Sequence, residues 1–551
     1  MKKPNLSELT LREKIGQTAA VKQNLLDQIE DIHAYFKDNP YGSMWVVGAA
    51  QMDFINMADS VNENADVDIE EKLRLFFEDI NTCMRIPMAP ALDAENGAAR
   101  TFPAFNHTTY PTGLGAARNP EYAYEVGKCV ASEVKLAGCL WDWGPVVDNA
   151  APLCSINLTR TYSNNPELSC KLVKSHVQGI QAAGVAATVK HFPGADKDEY
   201  RDAHISSQAI TQSYDEWWER QGVIFQAGID AGTYSIMIGH VAFEAVDDTR
   251  INGNLLPATM SKKIITGLLK EKMGFNGVVI TDAIGMRGLS SMFKPEEVYV
   301  QALNAGNDVI LGPAHLDYID IIEKAVKDGE ISEERINDAC QRVLDMKEKL
   351  GLFDDDREEW GANKREEVLA HTRKVNEMVA PHAISWVCNK NNLVPLDKNK
   401  IKKVQLVYTG YSAEVYKKLN FVKDEFEKYG AEVCLTDRIK DMEDIKRIAT
   451  EYDLIVYFAH IAPHAPLGFG GFYNEDFRQF LYIMREGKEK SIGISTGSQY
   501  VYYDWFPTAD TFINTYGVDE ETLRVLVRGL YGDCEFTGEH PFDLNPHAPR
   551  I

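Results

Sequence analysis

Six residues constrain this chain more than any others: Gly277-Val278-Val279-Ile280-Thr281-Asp282. Val278, Val279 and Ile280 make an apolar, β-branched run without polar alternation, the pattern of a strand covered on both faces. The run stops abruptly on a carboxylate. A parallel barrel presents its reactive groups at the C-terminal tips of its strands, and an apolar strand that delivers one Asp has that form. Taken alone, such an Asp can equally cap a strand-to-helix turn. The pattern recurs upstream with other polar residues at the tips, which favours the barrel.

In chain order, residues 9–17 read as a helix, 43–47 as a strand and 69–84 as an amphipathic helix, and 86–92 run apolar into Asp93. Helical stretches at 119–136, 167–182, 214–231 and 261–273 alternate with strand-like ones. These strands cover 138–147, 184–189 leading into Lys190 and His191, and 233–239 ending at His240. The Asp282 strand and then 305–311 complete the series. This order, kept over about 310 residues, predicts an α/β fold with a parallel sheet closed as a (β/α)8-like TIM barrel. A doubly wound open sheet is the alternative, but no GxGxxG follows an early strand. Residues 331–352 read as a closing helix, and 353–359 are a charged break. Beyond it, 365–387 read as a helix, and 403–408, 453–458, 491–495 and 511–513 as short strands with helices between them. The expected division is a barrel domain over 1–355, a linker over 356–363 and a smaller α/β sandwich domain over 364–551.

At 551 residues and a formal charge of −24, the chain argues against nucleic-acid or anionic-membrane partners. A small neutral ligand is the simpler expectation. Nine cysteines, odd in number and without CxxC spacing, suggest reduced thiols and no structural zinc. The N-terminal residues lack an apolar segment behind their basic start, and no stretch approaches the roughly 20 apolar residues of a membrane span. The expected location is cytoplasmic, and the expected state is a monomer or homodimer.

Polar groups at several tips, namely Asp93, Lys190 with His191, His240 and Asp282, together with Arg160 in the loop after the third strand, suggest one site for a polyhydroxylated ligand. The motif around the second of these is specific. Lys190-His191-Phe192-Pro193-Gly194 resembles the KHFPG signature of family 3 glycoside hydrolases. Residues 9–17 resemble the LTLREKIGQ opening, and Asp93-Ala94-Glu95-Asn96-Gly97-Ala98-Ala99-Arg100 resembles the DxEGGRV stretch. Arg160-Thr161-Tyr162-Ser163 resembles RSFG, residues 274–286 resemble the GFxGVVxSDxxxM nucleophile segment, and residues 392–396 resemble the NLLPL entry into the family's second domain.

That resemblance implies Asp282 as nucleophile and sugar-hydroxyl binding by Asp93, Arg100, Arg160, Lys190 and His191. The chemistry agrees, since a retaining glycosidase needs a carboxylate to trap the anomeric carbon. After KHFPG come Asp202 and His204, two apart, so the carboxylate can orient the imidazole and favour its charged form. An imidazolium can protonate a leaving oxygen and then, as imidazole, activate the incoming nucleophile. A D-x-H pair at this place resembles the β-N-acetylglucosaminidase branch of the family. The chain departs from the pattern at Ala195-Asp196, where the family has His-Gly, and at Asn96, which replaces a Gly. Ala98-Ala99 and Ala283 are further departures.

The function this implies is a retaining exo-β-N-acetylhexosaminidase acting on terminal β-linked GlcNAc of a glycan or cell-wall fragment, with no cofactor and no metal. A phosphorylase of the same specificity is a close variant, because an imidazole does not repel phosphate as a carboxylate does. A β-glucosidase-type enzyme whose acid/base is Glu475 of the second domain is another alternative. An inactive carbohydrate-binding protein is the alternative from a different class, and Asp282, Asp202 and His204 count against it. His460 and His464 form a pair without a third convergent ligand, too little for a metal site.

Overall fold

The computed structural model describes residues 2–48, 68–149, 154, 156–199, 201–354, 364–410, 412–437, 439, 441–461 and 485–542. Eight strands form one parallel sheet: β1 (Ala19–Lys22), β2 (Ser43–Trp45), β3 (Ala91–Leu92), β4 (Trp141–Asp142), β5 (Ala186–Phe192), β6 (Ser235–Ile238), β7 (Val278–Thr281) and β8 (Ile310–Leu311). They lie side by side in chain order, β8 pairs with β1, and a bridge from Ile280 to Val309 brings β7 against β8. The sheet is a nearly closed barrel. Every residue of β6 and β7 is buried, as strands walled by helices outside and packed side chains inside must be. The interior is filled by Ala20, Ala91, Trp141, Trp143, Ala186, Met237, Val278 and Ile280.

Helices at Pro120–Leu136, Pro166–Ala182 and Glu333–Lys349 belong to the outer layer. Their starts are legible. Asn165 accepts from the Leu168 N–H and Ser332 from the Arg335 N–H, each satisfying an otherwise orphan donor at the helix start. Strand β1 was not expected. Its Ala-Ala-Val-Lys carries a single β-branched residue, so only its place between β2 and β8 marks it as a strand.

A second sheet holds β9 (Ser385–Asn389), β10 (Lys403–Gly410), β11 (Glu432–Thr436), β12 (Leu454–His460), β13 (Ser491–Ser495) and β14 (Thr511–Asn514). Its order is β9-β14-β13-β12-β10-β11, parallel except for β9, which runs antiparallel to β14. The helix expected over 365–387 is shorter, Arg365–Ala383, and the chain turns extended at Ile384 to become β9. Periodicity cannot separate a short apolar helix end from a strand, and the open edge of β14 decides it. The helix Arg365–Ala383 packs on both Pro120–Leu136 and Glu520–Leu530 and so joins the two halves. His107 Nε2 lies 2.9 Å from Glu414, and Arg118 pairs with Glu539 at 2.8 Å across the same seam. Among the described residues, no helix is long and apolar enough to cross a membrane.

Candidate active site

One cavity of about 880 Å³ opens at the C-terminal ends of the barrel strands. Asp93, Arg100, Arg160, Lys190, His191, His204 and Asp282 all line it, and every described lining residue lies between Lys22 and Gly312. Asp202 stands behind His204 with a fully buried side chain. Glu475 and His464 lie outside the described residues. His460 is buried in the second sheet, its Nδ1 2.9 Å from Thr496 Oγ1, and burial pushes it down to about 4.

Residues that sequence reasoning passed over organise the site. Glu95, two positions after Asp93, has no exposed side-chain surface and takes Lys190 at 2.8 Å, Arg160 at 2.7 Å and Arg100 at 2.8 Å. Burial opposes its ionisation, but these three cations, Lys190 first, outweigh burial and hold its carboxyl well below the usual range. Lys190 also donates to Asp93 Oδ1 at 2.6 Å. Its ammonium loses water to burial, yet Asp93 and Glu95 raise it above the ordinary lysine value. The D-x-E spacing was the available signal for Glu95. Asp148, in the loop after β4, directly follows the apolar pair Val146-Val147 that ends the strand read over 138–147, so the carboxylate at that strand's tip was the available signal. Asp148 accepts from the His191 N–H at 2.9 Å and faces His191 Nδ1 at 2.7 Å.

Lys190 and His191 both reach the cavity although successive strand residues point to opposite faces. The register of β5 against β6 slips here, pairing Lys190 with Met237 and Phe192 with Ile238, and this irregularity re-aims His191.

Asp282 follows β7 directly, and its N–H donates to the Ile238 carbonyl at 2.8 Å. Oδ1 accepts from the Ala283 N–H at 2.7 Å, which leaves Oδ2 without a donor among the described residues. Burial disfavours the carboxylate, but the imidazoles of His191, His240 and His204, with the Ala283 N–H, outweigh it and lower its pKa. His240 bridges Thr259 Oγ1 at 2.7 Å and the Ala283 carbonyl at 3.0 Å, and burial lowers its own pKa.

The loop carrying Asp202 and His204 is tied at both ends. Gly194 has φ +97, and a Cβ there would meet the Gln221 side chain at 2.4 Å. Asp196 accepts from the Thr211 N–H at 2.6 Å and from its hydroxyl at 3.0 Å, so the residue that departs from the family pattern staples the loop's base. The Asp202 carboxylate then accepts from the His204 N–H at 2.8 Å and lies 2.7 Å from His204 Nδ1. This is the local turn that Asp favours. The carboxylate fixes the proton on Nδ1 and leaves Nε2 as the working nitrogen. With its side chain 41% exposed, the imidazole is open to the cavity.

Such an arrangement can do displacement chemistry, with an ionised carboxylate on one side and an imidazole able to give and take a proton on another. Among the described residues, no group of three His, Cys, Asp or Glu side chains could hold a metal ion. The model of the glycosyl hydrolase family 3 N terminal domain matches residues 10–346. A beta-N-acetylglucosaminidase/beta-glucosidase of Cellulomonas fimi is 27% identical over 491 residues, covering 83% of this chain and 84% of its own. The solved structure of a family 3 beta-N-acetylglucosaminidase from Paenibacillus sp. aligns with 98% of this chain and 100% of its own, at TM-score 0.80 and 23% identity. A beta-glucoside phosphorylase aligns with 99% of this chain and 95% of its own, at TM-score 0.81 and 24% identity. Both likenesses are likenesses of fold.

Proposed function

This chain belongs to glycosyl hydrolase family 3 and is a glycosidase, and from that premise we propose that it is a retaining exo-β-N-acetylhexosaminidase that removes terminal β-linked GlcNAc. The observation that carries this reading is the Asp202–His204 pair opening onto the same cavity as Asp282. In the first step an oxygen of Asp282 attacks the anomeric carbon while His204 Nε2–H gives its proton to the departing oxygen. In the second, His204 takes a proton from water, the water oxygen bonds to the anomeric carbon, and the Asp282 ester bond breaks. Asp202, 2.7 Å from Nδ1, keeps the imidazole oriented with Nε2 toward the cavity. The Glu95 carboxylate positions Lys190, Arg160 and Arg100, so that sugar hydroxyls meet oriented donors and Asp93 offers an acceptor.

A second reading, phosphorolysis, is favoured by one feature: the acid/base here is an imidazole, which does not repel phosphate from the intermediate. Glucosides are the alternative substrate, since the Cellulomonas fimi relative carries both activities in its name. The test is p-nitrophenyl-GlcNAc against p-nitrophenyl-glucose, each with and without phosphate, followed by product analysis. Faster turnover of the GlcNAc substrate, with free sugar of β configuration released first, is the expected result. Exclusive turnover of the glucoside sinks the sugar assignment. Glu475→Gln should keep most activity, and a loss of roughly a hundredfold favours a carboxylate acid/base instead.

A further inference from the structure

The cations of the cavity are not alike. Lys190, Arg160 and Arg100 are each bound to Glu95, and Lys22 lies 5.2 Å from the Trp45 ring centre. Arg287 lines the same cavity and is exposed, and among the described residues its guanidinium has no hydrogen bond or ion pair. Its backbone, by contrast, is anchored at the proposed acid/base. The Arg287 N–H donates to the His204 carbonyl at 2.9 Å. Gly288 beside it lies so close to the Ala203 and Ser206 carbonyls that a Cβ would meet them at 2.8 and 2.6 Å. Next to His204 on the other side, Ile205 is 44% exposed, one of few large apolar side chains left so open among the described residues, and it lines the cavity with Met286. The chain's charge of −24 repels anions in general, so a cation left free at this place is a local exception to the field of the whole molecule.

We propose that Arg287 anchors an oxyanion on the leaving-group side of the site, with Ile205 and Met286 packing against the apolar body that carries it. This rests on the reading of His204 as acid/base. The group that protonates the departing oxygen marks the side from which the leaving group goes, and in a double displacement the second nucleophile enters by the same side. A guanidinium holds such an anion by two parallel N–H···O bonds. The anion has two sources. It is an acidic substituent on the leaving group, or it is inorganic phosphate acting as acceptor. In the latter case a phosphate oxygen bonds to the anomeric carbon as the bond to Asp282 breaks, yielding the glycosyl phosphate and the free carboxylate.

The experiment compares 4-carboxyphenyl with 4-chlorophenyl glycosides, two leaving groups of similar acidity and opposite polarity. Both are made on GlcNAc and on glucose, so the sugar pair tests the proposed function and the aryl pair tests Arg287 whichever sugar is turned over. Wild type should favour the carboxyphenyl substrate by about five- to tenfold in kcat/KM, the scale of one partly exposed charge-assisted contact. High salt should erode that preference. Arg287→Gln should abolish it and Arg287→Lys should retain part, with circular dichroism and melting checking that each variant is folded. With phosphate added, glycosyl phosphate formation should fall about tenfold in Arg287→Gln if phosphate is the source. Loss of the aryl preference identifies the leaving group as the source, and loss of phosphate partitioning identifies phosphate. If neither changes between wild type and Arg287→Gln, the proposal is overturned.

Discussion

The barrel buries two carboxylates among cations, one at each end, and they do different things. At the C-terminal end, Glu95 meets Lys190, Arg160 and Arg100. At the other end, Asp308 is equally buried and meets Lys270 at 3.0 Å and Arg335 at 2.5 Å, with Arg342 at 4.0 Å. The difference lies in what remains open. Asp308 also accepts from the Val279 N–H at 2.9 Å, and among the described residues the side chains it pairs with are all on helices, so it pins the outer helices to the start of β7. The cations on Glu95 line a cavity, and Asp93 beside them keeps 27% of its side chain exposed. Burial and pairing are therefore common to structure and site. An unclosed face is what separates them.

Substitutions at the open end should have the largest effects. Asp282→Asn should lower turnover by about 10⁴-fold or more, as loss of a covalent nucleophile does, with the melting temperature little changed. Peptide mass spectrometry after a 2-fluoro or 5-fluoro sugar should place the label on Asp282 in wild type, and a label elsewhere rejects the assignment. His204→Ala should cost about 10²–10⁴-fold on natural glycosides. On an activated aryl glycoside the first step should suffer less, a burst should appear, and azide should speed turnover because it needs no deprotonation. Wild-type rates on both substrates would remove the Asp202–His204 pair from the mechanism.

The two clusters themselves can be set against each other. Glu95→Gln leaves three cations without their anchor and should lower kcat/KM by about 10²-fold, since small displacements of positioning groups have that scale. Asp308→Asn should instead lower stability by about 3–5 kcal/mol, read from the urea midpoint, while kcat/KM of the folded enzyme changes little. Equal loss of activity in both would erase the distinction.

A subtler contrast is in pH. Under Glu95, buried Asp142 accepts from the Ala94 N–H at 3.1 Å, and burial, then Glu95, push it up to about 8. It keeps its proton in the folded chain while the unfolded chain releases it above about pH 4, so its contribution to stability declines as pH rises from about 4 to 8. At the opposite end Lys347, fully buried and bound to Gln17 at 2.6 Å and the Pro87 carbonyl at 2.7 Å, is pushed by burial down to about 7. Between about pH 7 and 10 the unfolded chain holds that proton and the folded chain does not, so stability rises with pH. Denaturant titrations of Asp142→Asn and Lys347→Met should each flatten one of these slopes. A variant with an unaltered slope would discharge its residue from that role.

The sequence by itself determined the barrel, because strands buried on both faces and alternating with amphipathic helices leave few other ways to cover the sheet. It also determined which polar side chains stand at the strand tips, since a carboxylate that ends an apolar run has nowhere to go but the rim. The Asp202–His204 contact was legible for the same local reason: two residues apart, an Asx turn brings them together. Only the tertiary structure decided the rest. Glu95 reads as one more acid until Lys190, Arg160 and Arg100 arrive from 5 to 95 residues away in sequence. His191 reads as facing away from Lys190 until the slipped register of β5 turns it inward. Arg287 reads as a surface cation until its N–H closes on the His204 carbonyl. The physical reason is common to all three. Periodicity reports how a residue sits on its own element, whereas a buried charge and its partners are chosen by elements that meet only when the chain folds.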